Sequence, residues 1–152
     1  MVAFYTAALP NELQIYLFSE YLETITESNY RKASLEEGQS HGIDIFTVAA
    51  KTVDRVRREQ EDDDDMKPLE GVLTALDKKK ISALEWLTFY PEQRGELLWQ
   101  TNAMMRTFLA ENKIEACKKA FNVIPVDSIQ VIFYLFLNGN FRLSKNVSFR
   151  FL

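Results

Sequence analysis

The sequence predicts an all-α protein, an α-solenoid of antiparallel helical hairpins, on three observations. Apolar residues recur at the helical period of about 3.6 in at least four separate segments. Pro10, Pro91 and Pro125 fall at the edges of those segments, where a fixed φ and a missing N–H do least harm. One segment, residues 91–111, carries apolar residues on two faces, as stacked helical pairs require when each pair contacts the next.

Residues 11–25 form the first full helix, with Leu13, Leu17, Phe18, Tyr21, Leu22 and Ile25 on one face and Asn11 placed to cap it after Pro10. Ser28 opens a second, more weakly patterned helix (Tyr30, Ala33, Leu35) that runs to about Ser40, with Gly42 as its C-terminal cap. Asp44 can cap a third, whose stripe is Ile45, Val48, Ala49, Thr52, Val53 and Val56. Arg55, Arg57 and Arg58 close it, where positive charge complements the helix dipole.

The run EQEDDDDMK, residues 59–67, repels itself and buries nothing, so it reads as a solvated, disordered loop. Clustered carboxylates also suit calcium or magnesium, but EF-hand spacing is missing and no metal ligand set is expected. A basic partner surface is the remaining use for the run. Pro68 to Leu76 is expected to form a short helix, and Ile81, Leu84, Glu85, Trp86 and Leu87 a helix leading into the next stretch.

Pro91 suits a first helical residue, and from it Leu97, Leu98, Met104, Met105, Phe108 and Leu109 fall within an arc of about 140°. Trp99, Ala103 and Ala110 lie on the far side beside Arg106. Asn112 and Lys113 break the pattern. Ile114, Cys117 and Phe121 resume it at i, i+3 and i+7, and Ala116 and Ala120 let a neighbour approach closely. The predicted core of this hairpin is therefore Trp86, Leu97, Leu98, Met105, Phe108, Leu109, Ile114, Cys117 and Phe121. Ile124-Pro125 stops the second helix, and Asp127 or Ser128 can cap another.

After Leu137 the pattern changes. Asn138-Gly139-Asn140 is a hairpin-type turn, and Phe141, Leu143, Val147, Phe149 and Phe151 alternate at period two with polar residues. A lone hairpin is marginal in water, so a non-native end reads equally well. The organisation expected is a solenoid segment over residues 1–137 and a divergent tail over 138–152.

Residues 86–129 carry the pattern WL-F-P-QR-E-L-Q-NA-MR-FLA-K-EA-K-F-IP-DSI, with VAFYT and LP (Val2 to Pro10), LETITE (Leu22 to Glu27) and KTVDRVR (Lys51 to Arg57) upstream. Over residues 2–130 the chain closely resembles the carboxy-terminal α-solenoid of the outer-ring Y-complex nucleoporins of the one-oh-seven family, and from Gln130 the resemblance is expected to end. It implies a structural scaffold of the nuclear pore complex at the nuclear envelope, supporting pore assembly and nucleocytoplasmic transport of mRNA and protein. The resemblance also implies other Y-complex nucleoporins as partners of the full-length protein. In the family an amino-terminal region joins the stem and a carboxy-terminal lobe docks on a neighbouring scaffold nucleoporin. Residues 2–130 lie between the two, so the isolated chain is expected to bind neither and to self-associate through uncapped ends.

The remaining signals bound the alternatives. A net charge of −4 gives no electrostatic footprint for nucleic acid. Val131 to Leu137, the longest apolar run, is far shorter than the ~20 residues of a membrane span, so no membrane insertion is expected. One cysteine excludes an internal disulfide framework. His41, the only histidine, suits a helix end better than a catalytic base, and Cys117 reads as a buried small hydrophobe. No nucleophile, phosphate-loop or metal motif occurs, so neither an enzyme nor a cofactor is expected. The alternative class is a soluble helical-repeat adaptor binding partner proteins, which a thirty-four-residue repeat would favour; none is found.

Overall fold

The computed structural model of the chain describes residues 1–61 and 69–139, and every regular element among them is helical. The order is α1 (Val2–Ala7), α2 (Asn11–Glu23), α3 (Ser28–Ser40), α4 (Ile45–Arg58), α5 (Ala75–Ala83), α6 (Arg94–Ala110), α7 (Ile114–Val123) and α8 (Ser128–Leu137). Two 3₁₀ turns, Leu84–Leu87 and Pro91–Gln93, join α5 to α6. The run Asp62–Asp65 and the alternating residues 141–151 lie outside the described residues.

Local chemistry sets most of the boundaries. Asp44 caps α4 by accepting from the Thr47 N–H at 3.3 Å. Gly42, at φ +80°, ends α3 in the left-handed conformation. The Ile43 N–H then reaches Gly38 O and the Gly42 N–H reaches Gln39 O, each at 3.0 Å. Asn112, at φ +59°, closes α6 in the same way: Lys113 N–H bonds to Phe108 O and Asn112 N–H to Leu109 O.

Two expectations need correction, and one helix, α1, is additional to those expected. Asn11 is already the first helical residue, because the extended Pro10 backbone occupies the cap position. A short helix, α1, precedes Pro10. The helix expected over 68–76 starts instead at Ala75, where Thr74 and Asp77 form a reciprocal capping box, Thr74 N–H to Asp77 Oδ2 at 2.9 Å and Asp77 N–H to Thr74 Oγ1 at 3.1 Å. Residues 128–137 are helical and Gly139, at φ +69°, ends that helix; the rest of the hairpin expected after it lies outside the described residues.

The stack is continuous. α1 and α2 pack on α3 and α4; α4 packs on α5, α6 and the 3₁₀ turn at Leu84–Leu87; α6 packs on α7 and α8. Gln93, just before α6, donates to Phe46 O near the start of α4 (3.0 Å), while Arg57 near the end of α4 donates to Gln100 Oε1 (2.7 Å). The two helices therefore run in the same direction, as equivalent helices of successive hairpins do in a solenoid. One apolar core threads the stack, from Phe18, Leu22 and Leu35 through Val48 and Val53 to Trp86, Leu97, Met104 and Phe108.

Gly38 marks a close helix contact. A Cβ built there would lie 2.8 Å from Phe18 Cε1 and 3.2 Å from Ile45 Cγ2. Phe18 is fully buried and has no room to retreat. Gly38→Ala should thus lose stability by about 1–2 kcal/mol despite the better helix propensity of alanine, since overpacking costs more than propensity returns. A denaturant midpoint at or above that of the parent chain would contradict this packing.

Candidate functional site

The chemistry of the site lies in which side chains the stack leaves uncovered. On α6 the buried face is Leu97, Gln100, Thr101, Met104 and Phe108. Leu98, Met105 and Leu109 sit one residue, or about 100°, further round. Leu98 and Met105 are consequently half-buried, and Leu109 is 53% exposed. On α7 the face turned inward is the small one, Ala116, Cys117 and Ala120, which lets α7 lie close to α6. Its bulky residues point outward, leaving Ile114 46% and Phe121 59% exposed. Leu109, Ile114 and Phe121, expected in the core, are therefore surface residues, whereas Trp86, Leu97, Phe108 and Cys117 are buried.

The three exposed residues form one feature. With Met105, Cys117, Lys118 and Asn122 they line a shallow groove of about 210 Å³ between α6 and α7. On α8, which packs on α6 and the Pro91–Gln93 turn, Ile129, Phe133, Tyr134, Phe136 and Leu137 are exposed, while Leu135 is turned inward. A second uncovered apolar surface lies at the other end of the stack: Phe4 and Tyr5 of α1, with Leu13, Tyr16 and Leu17 of α2. Exposed apolar side chains gathered in this way mark interaction surfaces rather than ordinary scattered exposure.

Between the two ends the polar groups act as fasteners. Arg31, 5% exposed, donates from Nε to Ile25 O (3.0 Å), from Nη1 to Ser82 O (2.6 Å) and Glu85 Oε2 (2.9 Å), and from Nη2 to Ser82 Oγ (3.2 Å). Its guanidinium lies 5.0 Å from the Trp86 ring centre. Ser28 donates to the other oxygen of Glu85. Lys113 joins the start of α7 to Asp77 of α5 at 2.8 Å. Burial alone would raise the Asp77 pKa, but the bonds from Lys113 and Thr74 hold it below the ordinary carboxylate value.

The α4–α6 seam holds a chain of polar groups, half-buried at Asp54 and Arg57 and buried at Glu96 and Gln100, that the helical periodicity does not announce. Asp54 accepts from Arg57 (2.9 Å), Arg57 donates to Gln100 Oε1, and Gln100 Nε2 donates to Glu96 Oε1 (3.1 Å). Gln93, Glu96 and Gln100 follow i, i+3, i+7 spacing, the signal that could have revealed them as a buried face. Burial, and then the neighbouring Asp54, raise the Glu96 pKa against the opposing pull of Gln100 and Arg57. A carboxyl raised on folding stabilises most below its unfolded pKa, and that stabilisation is lost as pH rises through the folded value. Glu96→Gln should therefore be more stable than the parent chain at pH 7, with the gap closing as pH falls through the carboxylate range. Urea midpoints at pH 7 and pH 4.5 check this; a variant less stable at pH 7 would show that the carboxylate is favourably held.

His41 follows the last residue of α3 as its exposed C-cap, 5.9 Å from the Phe4 ring centre. No single helix among the described residues is long and apolar enough to cross a membrane.

Comparison with known proteins accords with this geometry. The family model described as nuclear pore protein 84 / 107 matches residues 1–148. The match therefore continues beyond Gln130, where the resemblance was expected to end. The chain is 39% identical over 137 residues to nuclear pore complex protein Nup107 of Drosophila melanogaster, covering 90% of this chain and 16% of that protein. It is 38% identical over 137 residues to nuclear pore complex protein Nup107 of Homo sapiens, covering 88% of this chain and 15% of that protein. The chain thus spans about a sixth of the length of the curated relatives it matches.

Proposed function

Because this chain belongs to the nuclear pore protein 84 / 107 family, we propose that it serves as a structural scaffold segment of the nuclear pore complex, within the outer-ring Y complex at the nuclear envelope. Its work is shape and contact, with no catalytic step. One continuous core fixes the spacing of the helices, and the uncovered apolar surfaces carry the contacts to neighbouring helices of the scaffold. The observation that carries this reading is the α6–α7 groove, where Leu109, Ile114 and Phe121 stand exposed beside fully buried Leu97 and Phe108. An apolar groove between helices suits a partner helix, whose anchors enter at i, i+3, i+4 and i+7. Other nucleoporins of the Y complex are the partners this implies for the full-length protein.

The test is a fluorescently tagged full-length protein carrying Ile114→Glu and Phe121→Glu, followed at the nuclear rim. Both residues are surface residues, so the fold of the segment should persist. Loss of rim signal with normal protein levels is the expected result. Undiminished rim signal, with the same co-purifying nucleoporins as the parent protein, would overturn the role given to this groove.

A further inference from the structure

Two buried acceptors at the start of α6 lack a donor. Gln93 is 4% exposed and Glu96 6%, and neither Gln93 Oε1 nor Glu96 Oε2 has a hydrogen-bond partner among the described residues. Buried polar atoms are paired in the great majority of cases, so two orphans on one helix face call for a shared explanation. Gln93 and Glu96 stand three residues apart, which makes their side chains neighbours across one helical turn. The other end of each group is already engaged. Gln93 Nε2 donates to Phe46 O at 3.0 Å, and Glu96 Oε1 accepts from Gln100 Nε2 at 3.1 Å. Two acceptors cannot satisfy each other, but one proton between them satisfies both.

The surroundings favour that proton. Among the described residues, the charged side chains that act on Glu96 are Asp54 and Arg57, both of α4; α7, α8 and the two 3₁₀ turns, which also pack on α6, bring none. Arg57 is engaged elsewhere, donating from Nη2 to Asp54 and from Nε to Gln100 Oε1. Asp54 opposes a second negative charge. A carboxylate buried with a single neutral donor bears a large desolvation cost, and taking up a proton relieves it. Burial accordingly raises the Glu96 pKa.

We infer that Glu96 carries a proton on Oε2 in the folded chain and donates it to Gln93 Oε1. This bond completes an unbroken line of hydrogen bonds along the α4–α6 seam, from Phe46 O near the start of α4 through Gln93, Glu96, Gln100 and Arg57 to Asp54 near its end. Because α4 and α6 are equivalent helices of successive hairpins, the joint between the hairpins is pH-sensitive. An acid raised on folding holds the seam best below its unfolded pKa, and the link is lost as pH rises through the folded value, when the donor is gone. The device lies inside the segment and does not depend on what the exposed groove binds.

The experiment is infrared spectroscopy of the 152-residue chain, following the carbonyl stretch of protonated carboxyl groups from pH 5 upward. Carboxyls elsewhere are common to the parent and to Glu96→Gln and cancel in the difference. At pH 6, more than a unit above the ordinary glutamate value of about 4.3, the parent should show a protonated-carboxyl band that Glu96→Gln lacks and that fades as pH rises. Gln93→Met removes the acceptor and should move the fading down by about half a unit to one unit, the worth of one hydrogen bond. Gln100→Met removes the donor to the carboxyl and should move it up. Circular dichroism verifies the helical fold, and Gln93→Asn, which draws the acceptor back by one methylene, replaces Gln93→Met should that variant not fold. A parent spectrum at pH 6 that matches Glu96→Gln in this region would overturn the proposal. So would a Gln93 variant that titrates with the parent or above it, or Gln93 and Gln100 variants that both titrate lower, which would indicate a general loosening of the seam.

Discussion

Trp86→Ala is expected to lower stability by about 3–5 kcal/mol, the range for removing a large buried aromatic side chain when both the lost transfer energy and the remaining cavity count. The indole is 1% exposed and sits in the 3₁₀ turn that packs on α4, α5, α6 and α7, so no single neighbour can move in to fill the space. The same change removes the face on which the Arg31 guanidinium rests at 5.0 Å. Denaturant midpoints measure the loss. A loss below about 1 kcal/mol would mean that the stack is not held together at this turn.

Arg31→Leu should also be costly, by about 2–4 kcal/mol, for a different reason. The leucine keeps apolar bulk near Trp86 but leaves Ile25 O without the Arg31 donor and Ser82 O with only the Leu84 N–H, and a carbonyl stripped of a partner in the interior bears a desolvation cost. Glu85, partly exposed, can turn to water and should contribute less. The two substitutions touch the same contact, so the double variant should lose less than the sum of the single losses. Strict additivity would show that Arg31 and Trp86 act separately. Arg31→Lys should recover only part of the loss, because a single ammonium does not reproduce the fork that reaches four acceptor atoms on three residues.

Much of the fold was legible because it rests on local chemistry. Asp44 and Gly42 carry the cap preferences of helix ends, and the α4 stripe is regular because that helix is buried on one side by α2, α5 and α6. The α6–α7 hairpin was legible as two helices but not in its orientation. Apolar residues at Leu97, Leu98, Met104, Met105, Phe108 and Leu109 span more than one face, and period alone does not tell which half of a wide stripe meets the core and which meets a partner. On α7 the small residues Ala116 and Ala120 and the expected core residue Cys117 do face inward, whereas the large Ile114 and Phe121, expected beside them, do not. The polar chain from Asp54 to Glu96 was missed because a hydrophobic pattern treats Glu and Gln as surface, although their mutual hydrogen bonds let them lie inside. Arg31 escaped for the same reason: its partners come from residues 25, 82 and 85 and are brought together only by the fold.

The central claim is that this segment divides the apolar residues of one hairpin between a core and a face kept for contact with other helices. The most direct measurement compares Phe108→Ala with Phe121→Ala in the same chain, by denaturant midpoints at low protein concentration, where self-association does not contribute. Phe108 is 1% exposed and Phe121 59%. Phe108→Ala should lose about 3–5 kcal/mol and Phe121→Ala no more than about 0.5 kcal/mol. Equal losses at the two positions would contradict the account, because Phe121 would then belong to the core of the folded chain rather than to its contact face.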